Sequence, residues 1–447
     1  MPQYKLVYFN VRARAEISRY LFAQAGVEYE DCRLNSEEFE AMKKDASKIP
    51  LGQLPVLVVD GERVIPQSQA IARYLAKQFG MYGKNVNEET TVDVLTDCVA
   101  DIFTKMIKVS FENDEATKKE LSKTFMEKDS VAILTFMETT LKKNGEGKGF
   151  FVGDKMTLAD IAVFTLSEML DNGFTGLMDK YPLLKDFAGR VRAQPKIAAW
   201  IAKRPESSFT VHSACRPPPR KHGLSQRSVP RITVDIAYRA IMPQYKLVYF
   251  NARGRGENAR LLFAQAGVDY EDCRVTSDEF KAMKGDLAKC PLGQLPVLIV
   301  EGHPPMPQSH AIERYLARKF DMYGKTAEET ARIDVTCECV ADIFTSLMKM
   351  FFEKDEAKKA ELGKSFVEKD SVTLLTAMSK KLEKGSGFFV GDKITLADIS
   401  VFTMTEVIFK SMPNVADMYP ALKKFNDRVR AEPKIKAWLE KRPETNF

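Results

Sequence analysis

The chain repeats itself at the scale of a whole domain pair, and that feature limits what it can fold into. Residues 1–10 return unchanged as residues 242–251, and the copy then holds its register, with Tyr8 recurring as Tyr249 and Gln67 as Gln308. A shortening by three residues near Gly385 moves the register, so that Thr157 recurs as Thr395. Solenoid repeats have periods of about 20–50 residues. A unit this long carries its own core, so the reading is a duplicated protein, with copy one over residues 1–209 and copy two over 242–447. Residues 210–241 between them include Pro217-Pro218-Pro219, Lys221, His222 and Gly223. They read as a solvated, partly polyproline linker, with a weak alternation over 232–241 that suggests a short strand. The second copy opens on its own methionine, as it would if two adjacent coding units were joined through intervening sequence.

Of the 447 residues 45% are hydrophobic and 29% charged. That is apolar material for several cores and excludes disorder as the main state. No apolar run approaches the ~18–20 residues of a membrane span. The start, Met1-Pro2-Gln3-Tyr4-Lys5, lacks a basic-then-apolar leader. Seven cysteines with no Cys-x-x-Cys pair make no disulfide framework, so a reducing, cytoplasmic location is expected. The net charge of +6 sits mostly in residues 210–241, where Arg216, Arg220, Lys221, Arg227, Arg231 and Arg239 face only Asp235. The remainder is near neutral, which argues against a nucleic-acid binder.

Within copy one, residues 4–9 alternate and are rich in Val, Tyr and Phe, which predicts a strand. Residues 16–25 set Ile17, Leu21, Phe22 and Ala25 at helical spacing. A second strand is predicted over 27–32, and strands over 54–59 and 63–65 flank the hairpin signal Asp60-Gly61. Ser68 is expected to cap a helix running through Ile71, Leu75 and Phe79. From Glu88 the pattern is helical: Val92, Leu95, Val99, Ile102 and Met106 mark one long helix, and Val131, Leu134, Met137 and Leu141 another. Thr157-Leu158-Ala159-Asp160 reads as a capping box.

Several motifs stand in a fixed order in both copies. In copy one they are Tyr4-Lys5-Leu6-Val7-Tyr8-Phe9, then residues 12–16, then Gly52-Gln53-Leu54-Pro55-Val56-Leu57. Gln67-Ser68-Gln69-Ala70-Ile71 follows, and then Gly149-Phe150-Phe151-Val152-Gly153-Asp154 ahead of the capping box. Each copy thereby resembles a cytosolic glutathione S-transferase, most of all the sigma class that includes prostaglandin D synthase of the haematopoietic type. The resemblance implies an α/β domain of thioredoxin type followed by an all-helical domain, twice. The expected boundaries are 1–80 and 81–209, the linker 210–241, then 242–321 and 322–447. It also implies glutathione as co-substrate, a hydrophobic electrophile as partner, no nucleic acid, no membrane span, and a pseudo-dimer of the two copies or a homodimer.

The resemblance assigns residues as well. Tyr8 and Tyr249 would donate a hydrogen bond to the glutathione sulfur. That favours the thiolate, the form that attacks. On their own they would be ordinary strand aromatics. Arg14 and Arg255 match an arginine beside that tyrosine. Where copy two has Gly254 and Gly256, copy one has Ala13 and Ala15; the family usually has glycine at the first of these, and if φ is positive there Ala13 is strained and the first site is expected to be looser. Gln53 and Leu54, with Gln294 and Leu295, match the segment before a cis proline that pairs with the glutathione backbone like an added strand. Gln67, Ser68, Gln308 and Ser309 match the residues that take the γ-glutamyl carboxylate, as free amides at a helix N-terminus would. Phe39, Lys43, Phe280 and Lys284 match positions at the glycine end. Asp101 and Asp342 match an acid that reaches the neighbouring subunit's glutathione, which requires pairing. Phe103, Met106 and Ile107, with Phe344, Leu347 and Met348, are the expected wall for the electrophile.

The chemistry implied is glutathione conjugation, with peroxide reduction and prostaglandin isomerisation as further reactions left open. Cysteine catalysis is disfavoured because a tyrosine holds the position. Metal or histidine catalysis is disfavoured in copy one, because all four histidines lie beyond residue 210. Cys337 and Cys339 are two apart on a helix and do not share a face. The rival reading is a weakly active ligand carrier or a structural protein similar to the lens S-crystallins.

Overall fold

The computed structural model describes residues 2–207 and 244–445. The linker, with the strand suggested for 232–241, lies outside the described residues. Copy one contains β1 (Tyr4–Phe9), α1 (Glu16–Ala25), β2 (Glu30–Leu34), α2 (Ser36–Met42), β3 (Val56–Val59), β4 (Arg63–Pro66) and α3 (Ser68–Gln78). Helices follow: α4 (Val86–Ser110), α5 (Glu115–Thr124), α6 (Val131–Lys143), α7 (Leu158–Gly173), α8 (Pro182–Arg192) and α9 (Pro195–Lys203). Copy two repeats the order with β5 (Tyr245–Phe250), α10 (Glu257–Ala266), β6 (Glu271–Val275), α11 (Ser277–Met283), β7 (Val297–Val300) and α12 (Ser309–Lys319). Its helical part is α13 (Ala327–Phe351), α14 (Glu356–Ser365), α15 (Val372–Lys384), α16 (Leu396–Ser411), α17 (Pro413–Met418), α18 (Pro420–Ala431) and α19 (Pro433–Lys441). Each copy is thus a mixed sheet with flanking helices followed by a helical bundle.

The sheet of copy one has the order β2-β1-β3-β4, with β1 parallel to β2 and antiparallel to β3. Helices cover it, so Leu6, Val7 and Tyr8 are buried in sequence. Tyr8 stands near the carboxyl end of the central strand, paired with Arg33. The hairpin between β3 and β4 turns on Asp60 and Gly61, both at positive φ (54° and 74°), as a tight turn between twisted strands requires. Strand β2 starts at Glu30 rather than at Val27, because residues after the left-handed Gly26 must first travel back to the level of β1. Among the described residues the sheet of copy two has three strands, in the order β6-β5-β7. Where copy one has Arg63-Val64-Ile65, copy two has Pro304-Pro305-Met306. Two prolines remove two amide donors, and the ladder shrinks to one bridge between Leu298 and Met306.

Thr157 and Asp160 form the expected capping box of α7. Asp160, fully buried, also accepts the Phe151 amide at 2.8 Å and so ties the preceding loop to the helix. Asp398 does the same in α16, accepting from Phe389 at 2.9 Å and from Thr395 at 2.9 Å and 2.7 Å.

The two copies face each other through α3 against α13 and α4 against α12. At the centre Arg73 contacts Asp93 at 2.9 Å, Asp97 at 2.8 Å and Glu338 of the other copy at 3.1 Å. Arg314 answers with Asp334 at 3.0 Å, Glu338 at 2.9 Å and Asp97 at 3.4 Å. Burial opposes ionisation of Asp93, but the guanidinium groups of Arg318, Arg73 and Arg314 outweigh it and hold the carboxyl well below the usual range. Further out the contacts are unequal. Arg318 pairs with Glu89 at 2.8 Å, whereas the corresponding Lys77 meets Thr330 at 3.5 Å. Apolar side chains are exchanged too: Leu51 of copy one joins the core of copy two, and Leu292 joins the core of copy one. No helix among the described residues is long and apolar enough to cross a membrane.

Asp398→Ala leaves the amides of Phe389 and Thr395 buried without an acceptor. An unmade buried hydrogen bond costs about 1–3 kcal/mol, so the variant is expected to lose about 2–4 kcal/mol in urea unfolding, and Asp160→Ala a similar amount. A loss below about 0.5 kcal/mol would show that the box is dispensable.

Candidate functional site

Each site is assembled at the carboxyl end of the central strand. The segment after β1 (or β5) makes a single 3-10 turn, Ala13–Ala15 in copy one and Gly254–Gly256 in copy two. Both begin at positive φ, 35° at Ala13 and 38° at Gly254, so the alanine does occupy a conformation that favours glycine. This turn brings a backbone amide back over the strand's tyrosine: the Arg255 N–H donates to Tyr249 Oη at 3.0 Å. In copy one burial raises the pKa of the Tyr8 phenol, and the Arg14 amide and guanidinium oppose it only in part. The Arg14 guanidinium lies 5.3 Å from the Phe103 ring centre.

A line of rings leads from the tyrosine toward the helix after β2. Tyr8 and Phe9 are 5.7 Å apart, Phe9 and Phe39 5.2 Å, and the Lys43 ammonium lies 5.4 Å over Phe39. Copy two repeats this as Tyr249, Phe250, Phe280 and Lys284, at 5.7, 5.2 and 5.8 Å. The exposed Lys43 sits there because α2 is held by the capping box of Asn35 and Glu38. That helix is too short for its apolar spacing to have been read from the sequence. Leu54 is half-buried against the same small cluster as Phe39. It precedes a cis peptide bond to Pro55, and Leu295 precedes one to Pro296. Gln53 and Gln294 are exposed. The Cys290 thiol donates to the Gln294 carbonyl at 3.1 Å.

The N-termini of α3 and α12 depart from the expected cap. Ser68 and Ser309 are the first helical residues, and the cap positions belong to Gln67 and Gln308. Neither helix has a side-chain cap hydrogen bond, so its first amides are left for another acceptor. Both glutamines stand at positive φ, 70° and 72°, a strained setting that costs on the order of 1–3 kcal/mol and tends to be kept at binding sites. Their amides are used between copies. Gln67 Nε2 donates to Asp342 at 3.0 Å and Gln308 Nε2 to Asp101 at 2.9 Å. An acid of each copy therefore stands at the helix terminus of the other.

The expected apolar wall is only partly right. Phe103 and Phe344 line cavities beside the arginines. Met106 and Leu347 instead point into the helical cores, buried at 3% and 0% exposure, because they lie on the inward face of their helices. The cavity in copy two has a volume of about 200 Å³, and Arg255, Gln308, Ser309, Phe344 and the opposite copy's Asp101 all line it. The cavity in copy one is about 40 Å³ and is bounded by Ile17, Val99 and Met169. Sequence reasoning missed that difference. Its signal was the replacement of Ile17, Gln69 and Ala162 by Asn258, His310 and Ser400, of which the latter three line the second chamber.

Comparison with known proteins follows the duplication. The family described as glutathione S-transferase, N-terminal domain, matches residues 4–77 and 245–318. The glutathione S-transferase C-terminal domain matches residues 100–204 and 341–442. S-crystallin SL11 of Nototodarus sloanii is 43% identical over 209 residues, which are all of that protein and 47% of this chain. The haematopoietic prostaglandin D synthase of Gallus gallus is 40% identical over 209 residues, again its whole length and 47% of this chain. Glutathione S-transferase 3 of Caenorhabditis elegans is 38% identical over 213 residues, with the same coverage. With both halves of the domain pair matched twice in order, the chain belongs to the glutathione S-transferase family and carries its unit in tandem.

Proposed function

We propose that the chain is a glutathione transferase with two sites, each built by both copies, joining the glutathione thiolate to hydrophobic electrophiles. The observation that carries this is the crossed pair Gln67–Asp342 and Gln308–Asp101, beside uncapped helix termini and a strand-end tyrosine. The roles follow from charge and donor geometry. The amides of α3 and α12, with Ser68 and Ser309, suit the γ-glutamyl carboxylate. Asp342 and Asp101, held by the glutamine amides, suit the amine of the same group. Leu54 and Leu295 present backbone groups to the peptide, and Lys43 and Lys284 balance the glycyl carboxylate. Tyr8 and Tyr249 donate to the sulfur and hold it as thiolate. The Arg255 amide, itself donating to the Tyr249 oxygen, makes that phenol a stronger donor. The thiolate then attacks the electrophile's carbon, forming the carbon–sulfur bond as the leaving group departs with its electron pair. Phe103 and Phe344 offer the apolar surface beside it.

Because the acids cross, we further propose that the copies pair within one chain and that this pairing, in the cytoplasm, is the working form. A structural role on the same fold is the second reading, favoured by the likeness to S-crystallin SL11. Activity decides between them. Tyr8→Phe with Tyr249→Phe is expected to lower conjugation of a dinitrohalobenzene by about 10²-fold, the scale for removing one donor from a developing anion. Retention of most of the rate would refute the tyrosine mechanism.

Two further outcomes test the pairing. Asp342→Ala is expected to weaken one of two glutathione sites about tenfold, about 1.4 kcal/mol, so that a calorimetric titration separates into two classes; a single unaltered class would count against a crossed acid. At nanomolar concentration the chain is expected to run near 50.5 kDa, because tethering gives effective concentrations of order mM. A dominant species of twice that mass would favour pairing between chains.

A further inference from the structure

The two sites differ at the atoms that surround the tyrosine. In copy two the Tyr249 ring lies directly on the glycine turn. A Cβ built on Gly254 would stand 2.6 Å from Tyr249 Oη, and one built on Gly256 would stand 2.6 Å from Cδ1 and 3.0 Å from Cγ of the same ring. Carbons do not approach that closely, and both clashes fall on a ring anchored in a strand rather than on a free side-chain end. Copy one has those methyl groups, on Ala13 and Ala15, with nearly the same backbone at the first position, φ 35° against 38°. Those methyl groups therefore require Tyr8, or the turn beneath it, to shift from the arrangement of copy two. The rest of the surroundings differ accordingly. Tyr8 is buried in the core of copy one at 7% exposure, whereas Tyr249 is only partly buried. The cavity beside Gly254 is about 200 Å³ and the one beside Ala13 about 40 Å³.

We propose that Gly254 and Gly256 are positioning residues for Tyr249, that Ala13 and Ala15 displace Tyr8, and that copy two therefore does most of the chain's thiol activation. The inference rests on the tyrosine reading given above. A phenol oxygen moved by a fraction of an ångström misses the line to a sulfur fixed by the glutathione contacts, and displacement of about 1 Å can cost about 10²-fold in rate. Asp101 and Asp342 remain in place in both sites, so the proposal predicts unequal activation rather than loss of glutathione binding at site one.

The test uses full-length chains with one tyrosine each. Tyr8→Phe leaves Tyr249 and Tyr249→Phe leaves Tyr8, and conjugation is followed as a function of pH. The expected result is a rate about tenfold lower in the Tyr249→Phe chain, with its rise toward the thiolate plateau shifted to higher pH. Adding Ala13→Gly and Ala15→Gly to that chain should restore much of the rate and bring the rise back down. Gly256→Ala in the Tyr8→Phe chain should do the reverse. Equal rates and equal pH profiles in the two single-tyrosine chains would overturn the proposal, as would a glycine pair that changes neither in copy one. Loss of both is recognised separately: if the chain without either tyrosine keeps the parent rate, the tyrosine mechanism itself has failed and this inference falls with it.

Discussion

The contact on which the arrangement depends is the pair of arginines, Arg73 and Arg314, sunk between the copies with Asp93, Asp97, Asp334 and Glu338 around them. Two buried cations so near one another repel, and each of these arginines is almost without solvent. They persist because every guanidinium edge meets a carboxylate, and removing one partner would leave the others as uncompensated buried charge, a loss of about 3–5 kcal/mol. These bonds set α3 against α13 and α12 against α4. That alignment is what brings Asp342 to Gln67 and Asp101 to Gln308, one turn further along the same faces of α13 and α4 that carry Glu338 and Asp97. The exchange of Leu51 and Leu292 adds an apolar fastening at the rim.

Much of this was readable from the sequence, for definite physical reasons. The strand of Tyr8 and the long helix of Val92 to Met106 carry strong periodic patterns, and the box of Thr157 and Asp160 is a local hydrogen-bond motif that needs no tertiary context. The ordered motifs, present twice, carry the resemblance to the family without tertiary context. What escaped was whatever depends on partners distant in sequence. Ser68 looked like a cap because serine before an apolar run usually is one; the glutamine before it takes the cap position in a strained conformation because its amide is drawn to an acid on the other copy. Met106 has the spacing of a cavity wall and the burial of a core residue, which spacing alone does not separate. The missing fourth strand of copy two was written in Pro304 and Pro305, yet only pairing with β7 shows which donors their rings delete.

The copies have also drifted apart in the character of their chambers. Asn258, His310 and Ser400 line the chamber of copy two, where copy one has Ile17, Gln69 and Ala162 at the matching positions. Asn258 and Ser400 lie 3.4 Å apart, and His310 approaches Glu313 at 3.2 Å.

Fusion alters the rules under which such drift occurs. When identical subunits meet across a twofold axis, any replacement is made twice, and a residue near the axis must tolerate its own image. Here the contact of Arg318 with Glu89 has a counterpart in which lysine meets threonine, an inequality that no assembly of identical subunits could hold. One gene change now edits one side of the seam. The halves are free to specialise while each still completes the other.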